Sequence, residues 1–352
     1  MIKIIFHSNQ ITERGDSTNA ESLSLALKMF YDIESIIVYN KESKVNNPKK
    51  IEELISRGYD LIPYIKPGEL HDIGKNFGAT HSYFFCGGEY SPLWIKNTKR
   101  LSHVMFNNFE PHGDKYNYVS EWLYSKAIRN RRRRTPEIKI SELQGITGSP
   151  FGLDTSIPIS WVPHIVESIK GDGVSFRKKL KIPIKAKVIG RIGGYSEFND
   201  PAAQKGVVEL VEKFHEYYFV FVNTRKFYSH PRIKYVDYLS SREKWDFYAA
   251  GDVFINGRLM GESFGFSICE ALSVGKPVVA PNFHRNLRMD KHHISILTGQ
   301  GLLYKSKREF KEILIRQINS PVPYESLTQL VDKFNAKSVI KMFADKFLDL
   351  EI

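Results

Sequence analysis

Two cysteines in 352 residues, Cys86 and Cys269, are too few for a disulfide scaffold. Both sit in apolar runs, where a thiol reads as buried and unpaired, as suits a reducing compartment. No apolar run approaches the roughly 20 residues that cross a bilayer, and the opening stretch 2–6 is too short for a secretory leader. A soluble, cytoplasmic chain is the expectation. No His-x-x-x-His or Cys-x-x-Cys pair occurs, and the adjacent His292 and His293 would point apart on a regular element, so no metal site is expected. The first apolar run is not followed by Gly-x-Gly-x-x-Gly, and Gly190-Arg-Ile-Gly-Gly194 has a different spacing. A nicotinamide oxidoreductase is therefore disfavoured. Glycine and proline are scattered and no solenoid period is visible, which excludes collagen-like and repeat architectures.

What is present is a chain longer than one ordinary core, 42% hydrophobic and 26% charged, which points to two folded domains. Its formal charge of +12 raises the local concentration of anionic partners. That charge does not choose among nucleotides, lipid headgroups, anionic glycans and nucleic acid. Two clusters stand out, Arg129 with 131–134, and Arg177-Lys-Lys179 continuing through Lys181, Lys185 and Lys187. A solvated loop and a solvated linker remain the plain alternatives for these.

Short apolar runs alternate with segments of helical period, the pattern of an α/β protein with parallel sheets. In the first half, strands are expected over 2–6, 33–39, 59–63, 82–86, 103–106 and 116–119, with helices over 20–31 and 48–57. The second half predicts strands over 187–192, 217–223, 252–256 and 277–280, and helices over 202–215, 242–250, 266–274 and 307–318. Two prolines in Ile157-Pro-Ile-Ser-Trp-Val-Pro-His164 suit a defined crossover. The expected division is 1–165, 166–335, and a closing helix in 336–352 that packs back on the first domain.

The chemistry concentrates in Gly261-Glu-Ser-Phe-Gly-Phe-Ser-Ile-Cys-Glu270, followed by Ala271-Leu-Ser-Val-Gly-Lys-Pro-Val-Val279. Glu262 and Glu270 flank a turn at Gly265 that reads as a helix start. Such a turn presents backbone N–H groups to an anion while the acids accept from hydroxyls. Open parallel sheets bind ligands beyond the carboxyl ends of their strands. Three segments follow strands here: 190–194, 223–225 and 256–265. Arg191, at a strand end, and Lys205, early in a helix, are the candidate cations for a diphosphate.

This block resembles the retaining glycosyltransferases of the GT-B fold, the glycosyltransferase 4 group. There two glutamates at the spacing of Glu262 and Glu270 precede a small-residue helix and a Gly-x-Pro-Val strand. Gly190-Arg191 and Lys205-Gly206 resemble the family's diphosphate-binding pair, although the loop between them is longer. Phe247-Tyr-Ala-Ala-Gly-Asp-Val-Phe-Ile255 resembles the helix and strand leading into the donor site. Trp161-Val-Pro-His-Ile-Val166 resembles the entry to the second domain, with His164 where Asn is more common. The resemblance implies an α/β chain with two Rossmann-like domains facing each other across a cleft. It further implies transfer of a hexose or related sugar, with retention, from a GDP-, UDP- or ADP-sugar to a hydroxyl of a glycan, glycolipid or small molecule. No metal and no cofactor beyond the donor is implied.

In that scheme Gly190, Arg191, Lys205, Ser263, Phe264, Gly265, Phe266 and Glu270 hold the donor, with Glu270 at the ribose and Glu262 at the sugar. The base is expected near Arg225 and Tyr238. The first domain departs from the family, since Gly15 is the only glycine in Ile11-Thr-Glu-Arg-Gly-Asp-Ser-Thr-Asn-Ala20. Gly15 is a candidate for contact with a phosphate, and a plain strand-to-helix connection is the alternative. His112, in Asn108-Phe-Glu-Pro-His112, is the best match to the family's donor-proximal histidine, with His7 and His81 as competitors. The turn Cys86-Gly-Gly-Glu89 is an acceptor-side candidate. A lipid-linked acceptor and peripheral membrane contact fit the basic character. A glycosyltransferase acting on a nucleic-acid base, and a non-catalytic nucleotide-sugar binder, are the rivals, the former without a recognisable nucleic-acid-reading module.

Overall fold

The computed structural model describes residues 1–13, 15–134, 157–283 and 290–350, with backbone only over 130–134. Two compact units emerge, one comprising Met1–Ile165 with Ala336–Ile352 and the other Val166–Asn335.

In the first unit the elements run β1 (Lys3–Ser8), α1 (Gly15–Tyr31), β2 (Glu34–Asn40), α2 (Pro48–Ser56), β3 (Leu61–Tyr64), α3 (Glu69–Phe77), β4 (His81–Cys86), β5 (Lys99–Val104), β6 (Lys115–Tyr118), α4 (Glu121–Arg134) and β7 (Ile159–Trp161). The strands form one parallel sheet in the order β3-β2-β1-β4-β5-β6-β7. In β1 and β4 almost every residue is buried, as expected of strands covered on both faces. Asn47 caps α2 through Lys49 N–H, with Pro48 at its first position. The strand expected over 103–106 begins earlier, at Lys99. Lys99 and Arg100 hold its first two positions, Lys99 exposed and Arg100 half-buried with its guanidinium over the Phe84 ring, so a search for apolar runs starts too late.

The second unit contains α5 (Gly173–Lys179), β8 (Lys187–Ile192), α6 (Pro201–Lys213), β9 (Tyr217–Val222), β10 (Ile233–Val236), α7 (Ser241–Ala250), β11 (Val253–Ile255), β12 (Gly261–Glu262), α8 (Phe266–Ser273), β13 (Val278–Pro281), β14 (Asp290–Lys291), α9 (His292–Leu297), β15 (Leu303–Tyr304), α10 (Lys307–Asn319) and α11 (Tyr324–Gln329). Its main sheet is parallel in the order β10-β9-β8-β11-β13-β15, while β12 and β14 pair separately. Ile189, Phe219, Phe221, Val253, Val279, Tyr304 and Phe310 lie in one continuous core. A capping box between Ser240 and Glu243 starts α7. The last helix, α12 (Ala336–Leu348), returns to the first unit. Its Phe343 and Phe347 rings lie 5.5 and 5.1 Å from Tyr83 of β4.

In each sheet the winding reverses beside the first strand, at β1/β4 and at β8/β11. This reversal opens a crevice at the carboxyl ends of those strands. Two parallel sheets, each flanked by helices, make two Rossmann-like domains of the kind found in GT-B folds.

Gly190 has a packing reason to be glycine. A Cβ there would fall 2.4 Å from Phe254 Cε1 and 2.9 Å from Phe247 Cζ. Gly190→Ala is expected to cost about 1–3 kcal/mol through overpacking, seen as a lowered Tm with an unchanged far-UV spectrum. An unchanged Tm would show that the aromatic pair yields freely.

Candidate functional site

The three strand-end segments of the second unit are laced together at the carboxyl edge of its sheet. Arg191, the fifth residue of β8, donates to Asn223 O (3.2 Å), Thr224 Oγ1 (2.7 Å) and Gly194 O (3.0 Å). Asn199 and Asp200 N–H groups donate to Gly257 O at 3.0 and 2.9 Å. Leu259 N–H donates to Asn199 Oδ1 (3.0 Å), and Arg225 N–H to Tyr195 O (2.7 Å). Asp200 caps α6 through Ala202 N–H and accepts from Tyr304 OH (2.6 Å), which fixes the far end of the long loop.

Arg191 is 5% exposed, and burial pushes its guanidinium down to about 10, with Glu197 and Glu262 acting in the opposite direction. It therefore stays charged at neutral pH. Much of its donor capacity is spent on the β8 and β9 loops, so it organises the edge.

Glu262 lies on β12 between two left-handed glycines, Gly261 (φ 67°) and Gly265 (φ 81°). Only glycine adopts that region without Cβ strain. The carboxylate accepts from Asn256 Nδ2 (2.8 Å) and Arg258 Nη1 (3.1 Å), and Arg258 also reaches Glu197 at 3.4 Å. Burial raises the Glu262 carboxyl above its usual range, and Arg258 and Asn256 partly offset this. Gly265 caps α8 without a side-chain hydrogen bond. Behind the turn, His292 Nδ1–H donates to Phe264 O (2.7 Å) and its ring stacks on Phe264 at 5.4 Å.

Glu270 is 4% exposed, and both its oxygens are engaged: Lys244 Nζ holds Oε1, and Tyr248 OH donates to Oε2 at 2.9 Å. Burial, followed by the neighbouring Glu270, pushes the Tyr248 phenol well up, so it remains a donor. A ribose meeting Glu270 would share it with these partners, using lone pairs that they leave open.

The other expected site residues scatter in character. Lys205 and Arg225 are exposed, and Ser263, Phe266 and Tyr238 are half-buried. Phe264 is buried and packs inward on Phe334 at 5.2 Å. In the first unit Gly15 opens α1, and residue 14 beside it lies outside the described residues. His112 is 5% exposed, with its ring against Tyr90 and Tyr116 and its Nδ1–H donating to Glu110 O at 2.7 Å. Burial lowers its pKa. Of its competitors, His7 is pushed down to about 4 by burial and bonds Tyr64 OH through Nε2 (2.7 Å), and His81 meets Thr80 Oγ1 through Nδ1 (2.8 Å).

The thiols are free, but only Cys269 is buried, because Cys86 sits at the open end of β4 and is half-buried. The side chains of the basic run 131–134 lie outside the described residues. In the other cluster Arg177 is structural, donating to Ala250 O, Ile184 O and Ala186 O and pairing with Asp252 at 3.1 Å. Among the described residues no group of three or more metal-ligating side chains converges, and no helix is long and apolar enough to cross a membrane.

Sequence reasoning missed Glu197, Lys244, Tyr248, Asn256 and Arg258. Asn256 and Arg258 lay in view, inside the segment after β11. No sequence pattern links Lys244 or Tyr248 to Glu270, whose meeting depends on how α7 packs beside α8.

No protein-family model matches the sequence, and a search of curated proteins finds no match. Solved structures do resemble it. The HepE protein of Anabaena, in complex with UDP and glucose, aligns with TM-score 0.69 and 12% identity over 99% of this chain and 100% of that one. A glycosyltransferase from Rickettsia africae aligns with TM-score 0.62 and 12% identity over 98% and 97% of the two chains. A UDP-N-acetylglucosamine 2-epimerase aligns with TM-score 0.58 and 10% identity over 99% and 96%. At these identities the likeness shows a shared GT-B-like fold.

The support behind the Glu262 turn is sensitive to acid. Burial, then Lys333 and His293, pushes His292 down to about 4, against the bond to Phe264 O, and burial and Arg258 do the same to His293. Both have folded pKa values below the unfolded value, so their contribution is present above about pH 6.5 and declines as pH falls toward 4. Urea midpoints should fall between pH 6.5 and 5, above most carboxylate titration, and His293→Gln should flatten part of that slope. Equal slopes in the two proteins would remove His293 from this account.

Proposed function

We propose that the chain is a metal-independent, retaining glycosyltransferase that moves a hexose or related sugar from a nucleoside-diphosphate-sugar to a hydroxyl of a glycan, glycolipid or small-molecule acceptor. The observation that carries this reading is the Asn256–Arg258–Glu262 turn, joined at the switch-point edge to buried Arg191 and leading into the Gly265-capped start of α8. It joins cationic groups, backbone donors and a hydroxyl-accepting carboxylate, the set that a sugar diphosphate requires. Several structurally similar proteins carry UDP or a UDP-sugar in their names, which makes UDP the first nucleotide to test.

In the proposed mechanism the β8 edge and the start of α8 hold the diphosphate, with Arg191 and Lys205 countering the charge that grows as the glycosidic bond breaks. Glu262 orients the sugar and Glu270 the ribose. The acceptor oxygen attacks on the face the diphosphate leaves, and a phosphate oxygen of the departing group takes the acceptor proton. The spacing of Glu262 and Glu270 favours the glycosyltransferase 4 group over the epimerases that share the fold. A non-catalytic binder is the second reading, favoured by the internal pairing of Glu262 with Arg258 and of Glu270 with Lys244.

Calorimetry with UDP, GDP and ADP, followed by hydrolysis and transfer assays with the matching sugars, tests the proposal. Glu262→Ala and Arg191→Ala should each lower turnover by roughly a hundredfold or more while the fold persists. Near-wild-type turnover in either variant overturns its assigned role, and binding without turnover over a broad acceptor panel favours the binder. Turnover should also survive a chelator, so a strict divalent-metal requirement would contradict the mechanism.

A further inference from the structure

We infer that the second unit carries a further anion site, a cleft at the amino ends of β8 and β11 that takes a phosphate monoester attached to an apolar body. The inference does not depend on the glycosyltransferase reading. The cleft, of about 570 Å³, lies between α5, the segment 184–187 entering β8, and the turn from α7 to β11. That volume falls in the range of small-molecule sites. Lys187 and Asp252 stand at this end of β8 and β11, whereas Arg191 and Asn256 stand at the other. The two candidate sites therefore occupy opposite ends of the same strands.

The frame of the cleft is fixed. Gly171 and Gly173 bring the chain directly onto α7, where a Cβ would fall 2.1 Å from Trp245 O and 2.6 Å from Ala249 C. Arg177 spends all five of its N–H groups on the walls. Nε and Nη2 donate to Ala250 O (2.9 and 2.7 Å), Nη1 to Ile184 O (2.9 Å) and Ala186 O (2.8 Å), and Nη2 also to Asp252 (3.1 Å). Asp252 accepts in addition from Val188 N–H (2.7 Å). Arg177 is thus scaffold, and the carboxylate lining the cleft is already shared.

The lysines are not spent. Lys185, exposed, and Lys187, half-buried, line the cleft, and neither ammonium makes an ion pair or hydrogen bond among the described residues. Lys276, at the entry to β13, is half-buried and likewise has no partner for its ammonium among them. It lies close enough to the Arg177–Asp252 pair to feel both charges. Burial lowers its pKa, with Asp252 opposing and Arg177 adding to the effect. An anion joining these cations would offset that cost, and lysine meets phosphate as a compact point charge. At the rim Val174 is 63% exposed and Ile184 61% exposed, which gives the body that carries the phosphate an apolar surface to cover. A soluble phosphomonoester and a phospholipid headgroup share this chemistry.

The test is isothermal titration calorimetry of the full chain at low salt with phenyl phosphate and with inorganic phosphate, alongside co-sedimentation with phosphatidylcholine vesicles containing phosphatidic acid. Wild type is compared with Lys185→Gln, Lys276→Gln, Ile184→Ser and Lys205→Gln, each checked for an unchanged melting curve. Lys185 is exposed, so its variant reads binding without a folding penalty. Phenyl phosphate should bind more tightly than inorganic phosphate and should lose about tenfold in each of Lys185→Gln and Lys276→Gln. Ile184→Ser should remove the advantage of the phenyl ring, and Lys205→Gln, at the donor edge, should change nothing. Vesicle binding that is lost in Lys276→Gln, without phenyl phosphate binding, supports the cleft with a headgroup as the source. Neither probe bound, or binding indifferent to both Lys185→Gln and Lys276→Gln, overturns it. Binding lost in Lys205→Gln and kept in Lys185→Gln also overturns it, since the phosphate would then sit at the donor edge.

Discussion

A charge taken out of water must be met by opposite charge or by hydrogen bonds, and the carboxyl edge of the second sheet is organised by that requirement. Arg191 sits where parallel strands end and where their carbonyl oxygens need donors. It satisfies Asn223, Thr224 and Gly194 together, and so fixes the β8 and β9 loops against each other. Glu197 and Glu262 lie close enough to support its charge, and Arg258 ties those two carboxylates together. Removing Arg258 would leave the Glu262 carboxylate without its cation, a cost that favours one arrangement of the turn.

The same requirement explains why the two acids of the central motif behave differently. Glu262 lies on a two-residue strand between left-handed glycines, partnered by an amide and a guanidinium, and burial raises its carboxyl. Glu270 is inside α8, where a desolvated carboxylate is costly unless a neighbouring element supplies donors. Helix α7 supplies two, Lys244 and Tyr248, one turn apart on the same face.

The fold was the more legible part of the chain. Lys187–Ile192 and the helix beginning at Phe266 stand where apolar pattern and turn residues put them, because buried parallel strands read as continuous apolar runs and Gly265 punctuates the helix start. Strand β10, Ile-Lys-Tyr-Val, escaped because an edge strand of four residues carries a weak pattern, and β5 escaped at its start because Lys99 and Arg100 masked it. Within the candidate site, the motif placed Glu262, Glu270 and Arg191 in advance. Asn256 and Arg258 lay within the same segment but without a sign of their role, and Lys244 and Tyr248 were invisible, since they meet Glu270 only through the packing of α7 beside α8.

Sequence alone determined the alternation of strand and helix, the two-domain length, the scarcity of disulfide chemistry, and the motif spacing from Gly261 to Val279. Those follow from local rules of periodicity, capping and composition, which act over one or two turns of chain. Tertiary structure decided which donors each buried charge meets. It gave Gly190 a packing reason against Phe254, and it locked the β4 and β5 loops together through backbone and tyrosine hydrogen bonds. Such pairings span tens of residues, and burial gives them their energy only once the sheets have formed.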